Sequence, residues 1–195
     1  MQKIQVTYNS PVILTFSLVS LLLVLIDRWL LEGLAETWFS VQGDTNWSSP
    51  ADWFRLFSHV IGHQDMTHLF GNLMLLLLVG PMLEEKIGSF AMLLIIAITA
   101  FVTGVMNDLV FDQGLYGASG VVFMLVILGS FSNFRAGQVP LTFILVALMF
   151  IGREVWTALQ TDQVSQFAHI AGGCCGALFG FIRTALTPAA ASVGK

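Results

Sequence analysis

The sequence predicts an all-α polytopic membrane protein: one bundle of six transmembrane helices with a long membrane-associated first loop. Of its 195 residues, 56% are hydrophobic and only 10% are charged, whereas about 25% of the residues in a typical soluble domain are charged. Apolar segments also recur along the chain at lengths close to the roughly 20 residues that a helix needs to cross a bilayer. A chain of this length has room for six such spans and hardly for a second domain.

The six predicted spans belong to a single transmembrane domain covering residues 1–195. They occupy residues 11–31, 67–83, 89–109, 119–133, 140–157 and 167–184. The first apolar run continues through Asp27 and Arg28 and has no clear small-x-small cleavage site, so it is predicted to be a retained span and not a signal peptide. Residues 32–66 form the long loop. Its tryptophans favour the membrane interface, which predicts that the loop lies on the bilayer; they are Trp38, Trp47 and Trp53.

The basic residues predict the orientation of the bundle. Alternate loops place five of them on one side, Lys3, Lys86, Arg135, Arg183 and Lys195, and three on the other, Arg28, Arg55 and Arg153. The richer side is expected to be cytoplasmic, so both termini are expected inside. Spans two, four and six then all begin at the outer face. The run from Glu84 to Lys86 is expected to be a solvated cytoplasmic turn.

The net charge argues against nucleic-acid partners, and the cysteine content argues against a disulfide. The net charge of −4 offers no basic face for nucleic acid, and no run of Lys or Arg predicts the capture of lipid headgroups. Membrane lipids are expected around a bundle of this composition. Cys174 and Cys175 are adjacent, and disulfide geometry disfavours bridging neighbours, so both are predicted to be small packing residues. The sequence implies no metal and no cofactor, and it specifies no oligomeric state.

Four polar residues begin three different spans and would therefore share one depth. His68 and Asn72 lie four residues apart at the start of span two, Ser119 opens span four, and His169 opens span six. Ionisable residues inside a bilayer indicate function by default. Ser119 is the candidate nucleophile and His169 its general base. His68, Asn72 and the Ser119 backbone N–H are candidate donors to an oxyanion.

Glycines predict that the spans carrying Ser119 and His169 pack closely. Gly172, Gly176 and Gly180 follow His169 at helical spacing along one face, and such stripes let two helix backbones approach. Gly117 and Gly120 leave room around the Ser119 hydroxyl. Span four has only about 15 residues where about 20 are needed, so its outer end is expected to be sunk below the surface in a recess that water can enter.

Three short stretches together resemble the rhomboid intramembrane serine proteases, in the compact six-span bacterial form of the GlpG type. They are "HLFGN" in span two, "GASG" opening span four and "AHIAGGCCG" in span six. The resemblance implies a Ser119–His169 dyad without an acidic third member and an oxyanion site formed by His68, Asn72 and the Ser119 amide. It also implies transmembrane protein substrates, a bacterial inner membrane, and a site open toward the periplasmic side.

The chain departs from the family pattern at two aromatic positions. A Trp-Arg pair of the first loop is matched by Arg55 but has Phe54 before it, with Trp53 one residue earlier. A tyrosine that often packs on the histidine is Phe123 here, which keeps the aromatic contact and loses the hydroxyl. The resemblance further implies that residues 160–166 cap the site and that span five helps to gate lateral entry of the substrate.

Two other functions and several structural roles are alternatives. The polar residues could line a solute path in a transporter or channel, or the chain could be a catalytically inactive protein that binds transmembrane helices. Taken singly, Ser119 could be a small residue in a tight helix contact, and His68 and Asn72 could bond between helices. His59 and His63, in the loop before span two, are predicted to have structural roles such as bonding loop carbonyls.

Overall fold

The protein is a bundle of α-helices. A computed structural model describes residues 6–111, 113–131 and 163–186, with isolated positions between 141 and 152, and gives side chains as far as 184 in the last segment. In these residues the helices are α1 Pro11–Trp29, α2 Leu34–Trp38, α3 Pro50–Ser58, α4 Met66–Ile87, α5 Ser89–Val110, α6 Ser119–Ser130 and α7 Gln163–Leu186. The predicted all-α membrane fold is confirmed.

Four of these helices are long and apolar enough to cross a membrane: α1, α4, α5 and the 167–184 part of α7. They correspond to predicted spans one, two, three and six. Span four is the shorter apolar helix α6. Predicted span five, residues 140–157, lies mostly outside the described residues; of the predicted cap at 160–166, residues 160–162 lie outside them and 163–166 begin α7.

Helix α6 lies at the centre of the bundle, packed against α4, α5 and α7. Its sequence is apolar on all sides, which is typical of a helix enclosed by others. Accordingly, eight of its 12 residues are buried. At 1.5 Å per residue it is about 18 Å long, against a hydrocarbon thickness of about 30 Å. A helix of this length leaves one of its ends inside the membrane.

The glycine stripe of α7 packs directly on α6. A Cβ added to Gly172 would collide with the carbonyl oxygen of Gly120, and one added to Gly176 would collide with the carbonyl oxygen of Met124. One added to Gly180 would collide with the ring of Phe131. The two helices therefore touch backbone to backbone at Gly172 and Gly176, and the contact continues to Gly180 through the Phe131 ring, as the spacing of the glycines predicted.

The long loop carries α2 and α3 and packs along α5. The indole of Trp53 stacks on Phe101 at 6.2 Å between ring centroids and 9° between planes, and the three loop tryptophans are each between 42% and 47% exposed. The Arg55 Nε donates to the Thr37 carbonyl at 3.0 Å, and its guanidinium also pairs with Asp52. Arg55 therefore joins the end of α2 to α3, and the position before it, Phe54, packs edge-on against Phe39 instead.

The expectation of a fully solvated turn at Glu84–Lys86 is wrong for Glu84. Its side chain is 2% exposed and accepts hydrogen bonds from the backbone N–H groups of Val12 and Ile13, both at 3.0 Å, and from Ser89 Oγ at 2.7 Å. The first N–H groups of a helix have no partner within it and form the positive end of its dipole. Glu84 thus closes the start of α1, while Glu85 and Lys86 are exposed.

Candidate active site

The start of α4 positions two polar side chains of the site, His68 and Asn72. The Asp65 carboxylate accepts the His68 backbone N–H at 2.8 Å and so caps the helix. Helix α4 therefore begins at Met66, which puts His68 in the first turn and Asn72 one turn later on the same face. His68 is half-buried and Asn72 is buried.

The turn before α6 lies against the His68 ring. Gly117 has φ +133°, in the region that side-chain-bearing residues rarely adopt. A Cβ at this position would lie 2.7 Å from His68 Cε1 and 3.0 Å from Nε2. Glycine is therefore required here both for the backbone conformation and for the approach of the imidazole to the residue two positions before Ser119.

The long loop holds the same turn by three backbone attachments. Val41 and Leu115 exchange two hydrogen bonds, at 3.0 and 2.8 Å, and the Gly117 N–H donates to the His59 carbonyl at 2.9 Å. The Ala118 N–H donates to His63 Nε2 at 3.3 Å. The position of Ser119 is thus fixed from the loop side as well as by its own helix.

His63 is held in one neutral tautomer by its partners. Because Nε2 accepts from Ala118, the proton is assigned to Nδ1, which lies 3.1 Å from the Ile61 carbonyl oxygen and donates to it. The His63 ring also packs edge-on against His68 at 5.2 Å between centroids. Burial, and next the nearby His68, lowers the pKa of His63 to about 4, so the ring stays uncharged at neutral pH.

His59 lies one turn earlier and is almost completely buried. Its Nδ1 is 3.3 Å from the Arg55 carbonyl oxygen, and its Nε2 is 3.3 Å from Thr103 Oγ1 on α5. Burial lowers the pKa of His59 to about 4. The predicted structural roles of both loop histidines are confirmed, but the sequence did not indicate that the His63 ring contacts the turn of the candidate nucleophile.

Ser119 is the first residue of α6 and is half-buried. The N–H groups of a first helical turn have no acceptor within the helix and lie at its positive end. In α6 the first bond from this turn comes from Val122 N–H, which donates to the Ala118 carbonyl at 2.9 Å. The start of α6 therefore presents backbone donors beside the Ser119 hydroxyl.

Helix α7 brings His169 to the level of Ser119. Gly172 abuts the Gly120 carbonyl, and a Cβ on Gly120 would lie 3.3 Å from the carbonyl oxygen of Ala168. His169 follows Ala168 directly and is buried, with 8% exposed. Its ring packs on Phe123, one turn after Ser119, at 4.4 Å between centroids and 41° between planes. The phenylalanine thus keeps the aromatic contact that the sequence comparison implied.

The amide of Asn72 is buried without full hydrogen bonding. Its Nδ2 has no partner among the residues that the structure describes, and the side chain is 7% exposed. A buried donor without a partner is costly and calls for an explanation. One explanation is that the group donates during a reaction and not in the resting protein.

The structure thus brings together residues that the sequence places far apart. Contacts link His68 to Gly117, Gly120 to Gly172 and Phe123 to His169, all around the start of α6. Asn72 shares the His68 face of α4, and Gly176 continues the contact one turn further along α7. Beneath this level the core is apolar and includes Leu73, Leu76, Val122, Leu125 and Leu128.

Comparisons with known proteins point to one family. The family model described as "Rhomboid domain" matches residues 50–186. The chain is 27% identical over 136 residues to "Rhomboid protease GlpG" of Haemophilus influenzae, a match covering 68% of this chain and 71% of that protein. It is 28% identical over 137 residues to "Putative rhomboid protease YdcA" of Bacillus subtilis, covering 67% of each.

A third relative is longer. The chain is 30% identical over 145 residues to "Rhomboid-related protein 1" of Caenorhabditis elegans, which covers 66% of this chain and 39% of that protein. The family match begins at the start of α3 and runs to the end of α7, so it includes the starts of α4, α6 and α7 and every residue of the candidate site. This integral membrane protein belongs to the rhomboid family.

Proposed function

We propose that the protein is an intramembrane serine protease in which Ser119 is the nucleophile and His169 the general base. The observation that carries the proposal is the backbone contact of Gly172 with Gly120, together with the packing of the His169 ring on Phe123. Both contacts put the imidazole at the level of the serine. Two of the relatives carry the word protease in their names, which supports the same assignment.

The chemistry follows from the groups that meet at the start of α6. The His169 imidazole accepts the proton of the Ser119 hydroxyl while Oγ attacks the carbonyl carbon of the scissile peptide bond. The imidazolium then protonates the leaving amine, and a water molecule hydrolyses the acyl-enzyme by the reverse sequence of proton transfers. No carboxylate is needed as a third member, because the Phe123 ring packs on the imidazole and restricts its orientation.

The oxyanion is stabilised by donors from two helices. The Ser119 backbone N–H lies at the positive end of α6, and the Asn72 amide has no partner among the described residues. The His68 ring, which lies against Gly117, is the third donor. Each such donor is typically worth about 10²–10³ in rate. The proposed oxyanion site thus accounts for the otherwise unexplained burial of the Asn72 amide.

The substrates are transmembrane segments of other proteins. A peptide bond in a helix is inaccessible because its backbone groups bond within the segment, so the substrate must unwind locally to reach Ser119. Segments with helix-weakening residues near the cut and a small side chain just before it are preferred. The protein lies in a bacterial inner membrane with both termini cytoplasmic, and the site opens toward the periplasmic side.

No specific observation favours the two alternative functions. The described core below the site is filled by leucine and valine side chains of α4 and α6, which is unlike a polar solute path. A helix-binding protein without activity would not need a base at the level of the serine, or a buried amide that has no partner among the described residues. The protease is therefore the function that the geometry supports best.

The test is cleavage of a model transmembrane substrate by the purified full chain in liposomes. Ser119→Ala and His169→Ala are expected to lose cleavage by at least about 10⁴-fold. The matched control is Ser130→Ala at the other end of α6, whose hydroxyl donates to the Val126 carbonyl at 2.9 Å. Its activity is expected to remain within twofold of the wild type.

A fluorophosphonate probe separates the serine mechanism from the alternatives. Labelling is expected in the wild type and in Ser130→Ala, and neither in Ser119→Ala nor in His169→Ala. Equal cleavage by Ser119→Ala and Ser130→Ala would refute the proposed nucleophile. Solute flux that persists in Ser119→Ala liposomes, with no cleavage in any variant, would instead support the transporter.

A further inference from the structure

An apolar groove lies at the end of the bundle opposite the candidate active site. It has a volume of about 390 Å³, within the range of roughly 300–1,000 Å³ that is usual for ligand pockets. Six apolar side chains and two cations form its walls: Ile87, Ala91, Ile95, Leu128, Phe179 and Ile182, with Lys86 and Arg183.

Four helices contribute to the groove, each by a short stretch. Lys86 and Ile87 end α4, and Ala91 and Ile95 lie four residues apart on one face of α5. On α7, Ile182 and Arg183 follow Phe179 by three and four residues and so share its face. The walls therefore come from faces that converge, and the groove is a consequence of how α4, α5, α6 and α7 pack.

The groove extends from the membrane boundary into the hydrocarbon region. Lys86 lies just before the turn between α4 and α5, at the edge of the membrane. Ile95 lies six residues beyond Ser89, the first residue of α5, which corresponds to about 9 Å along the helix axis. The cations thus lie at the level of the lipid headgroups, and the apolar walls lie at the level of the adjoining part of the acyl chains.

The two cations are brought together only by folding. Lys86 and Arg183 lie far apart in the sequence, and neither belongs to a basic run. Both side chains are exposed.

We propose that this groove binds one anionic phospholipid, with its phosphate between Lys86 and Arg183 and an acyl chain along the apolar walls. The guanidinium has several N–H donors suited to a phosphate, and the ammonium adds a point charge. Basic pockets between helices at a membrane surface are known to select anionic headgroups. A zwitterionic lipid carries the same phosphate but brings a cationic group close to the two side chains, so it binds more weakly.

The test measures the binding of lipids to the full chain by native mass spectrometry in detergent. The probes are dioleoylphosphatidylglycerol and dioleoylphosphatidylcholine, added in equal amounts. The wild type is expected to retain one phosphatidylglycerol in preference to phosphatidylcholine. Lys86→Gln and Arg183→Gln are each expected to weaken its binding about fivefold, and the double variant about 25-fold.

Matched variants separate a specific site from general charge effects. Arg28→Gln removes one exposed cation from the opposite side of the membrane, and it is expected to leave lipid retention unchanged. Lys86→Arg and Arg183→Lys keep the charge and are expected to retain the preference for phosphatidylglycerol. Ala91→Phe fills the groove and is expected to lose the retained lipid, while thermal unfolding confirms that the variant is folded.

Three outcomes would overturn the proposal. The first is equal retention of the two lipids by the wild type, and the second is an effect of Arg28→Gln as large as that of Lys86→Gln. The third is displacement of phosphatidylglycerol by millimolar inorganic phosphate, which would show a plain anion site in which the apolar walls play no part. None of these outcomes depends on cleavage activity, so the test of lipid binding is independent of the proposed protease function.

Discussion

Two buried polar side chains, Glu84 at one end of the bundle and Asn72 at the other, are used in opposite ways. Away from the site, the Glu84 carboxylate accepts three hydrogen bonds, from Val12, Ile13 and Ser89, and joins α1 to the hairpin of α4 and α5. At the site, the Asn72 amide nitrogen is buried without a partner among the described residues. A satisfied buried group stabilises the fold, whereas an unsatisfied one costs stability and is available for chemistry.

The two ends of the bundle also differ in how their connecting segments are held. At the site end, the long loop holds the turn before Ser119 through the His59 carbonyl and the His63 ring. At the other end, α4 and α5 are joined directly at Gly88, and the cap of α1 is a side chain of the hairpin itself. The site is thus positioned by a loop structure that is separate from the hairpin of α4 and α5.

The largest expected effect is the loss of the Glu84 cap. Glu84→Ala leaves two backbone donors and one hydroxyl without an acceptor, so the free energy of unfolding is expected to fall by about 3–5 kcal/mol. Denaturant titration in mixed micelles measures this. The control is Glu85→Ala, which removes an exposed carboxylate at the next position and should change stability by less than about 0.5 kcal/mol. Equal losses of stability in the two variants would contradict the assignment of the helix cap to Glu84.

The second prediction concerns Asn72, at the end of the bundle that carries the candidate active site. Asn72→Leu is expected to lower kcat by about 10²–10³-fold through loss of an oxyanion donor, while the midpoint of thermal unfolding stays the same or rises. Asn107→Leu is the matched comparison, because the Asn107 amide donates to the Gln113 carbonyl at 3.0 Å and its loss should lower stability. If Asn72→Leu instead destabilised the fold and left kcat unchanged, the amide would be structural.

A smaller effect is expected at the contact between α6 and α7. The methyl group of Gly172→Ala would collide with the Gly120 carbonyl, and such overpacking costs about 1–3 kcal/mol. It would also separate His169 from Ser119, for which a shift of about 1 Å costs about 10²-fold in rate. Stability and cleavage are both measured. Gly71→Ala has open space around the added methyl group and should change neither.

The last effect concerns the dependence of stability on pH and is confined to the site end. Burial holds the pKa of both His59 and His63 at about 4 in the folded protein, below the ordinary 6.5 of the unfolded chain. Each group therefore contributes its full stability above pH 6.5, and this is lost as the pH falls from about 6.5 toward 4. The midpoint of thermal unfolding should decrease over this window.

A neutral substitution checks the assignment of that pH dependence. His63→Gln keeps an acceptor for the Ala118 N–H and cannot titrate, so the decrease should become smaller while cleavage at pH 7.5 is largely kept. The charges of Asp65 and His68 also act on the His63 ring, so the variant is compared with the wild type at each pH. An unchanged decrease in His63→Gln would assign the effect to His59 or to those neighbours.

Much of this arrangement could be predicted because membrane helices have few alternatives. Apolar length predicted α1, α4, α5 and α7, and the glycine spacing after His169 predicted which face of α7 meets α6. The bounds were less exact: α4 runs from Met66 to Ile87, beyond the predicted 67–83. The difference arises because Pro81, Glu84 and Glu85 look like the end of a span, while the helix continues past them to Gly88.

Other features depended on contacts between distant segments. Nothing in the sequence near Glu84 shows that the start of α1 will lie beside it, and adjacent charges normally indicate solvent. Likewise, "SHVIGH" suggested only local bonds, whereas His63 reaches Ala118 across the loop. A hydrogen bond of this kind depends on the path of both segments, which composition and spacing do not specify.

By itself, the sequence determined the membrane environment, the helical class and the four polar residues of the candidate site, because hydropathy and helical spacing are local properties. Only the tertiary structure decided that Glu84 is buried, that a loop histidine supports the turn before Ser119, and that Lys86 and Arg183 border one groove. These features arise where helices pack, and packing is set by the shapes of surfaces that are distant in the chain.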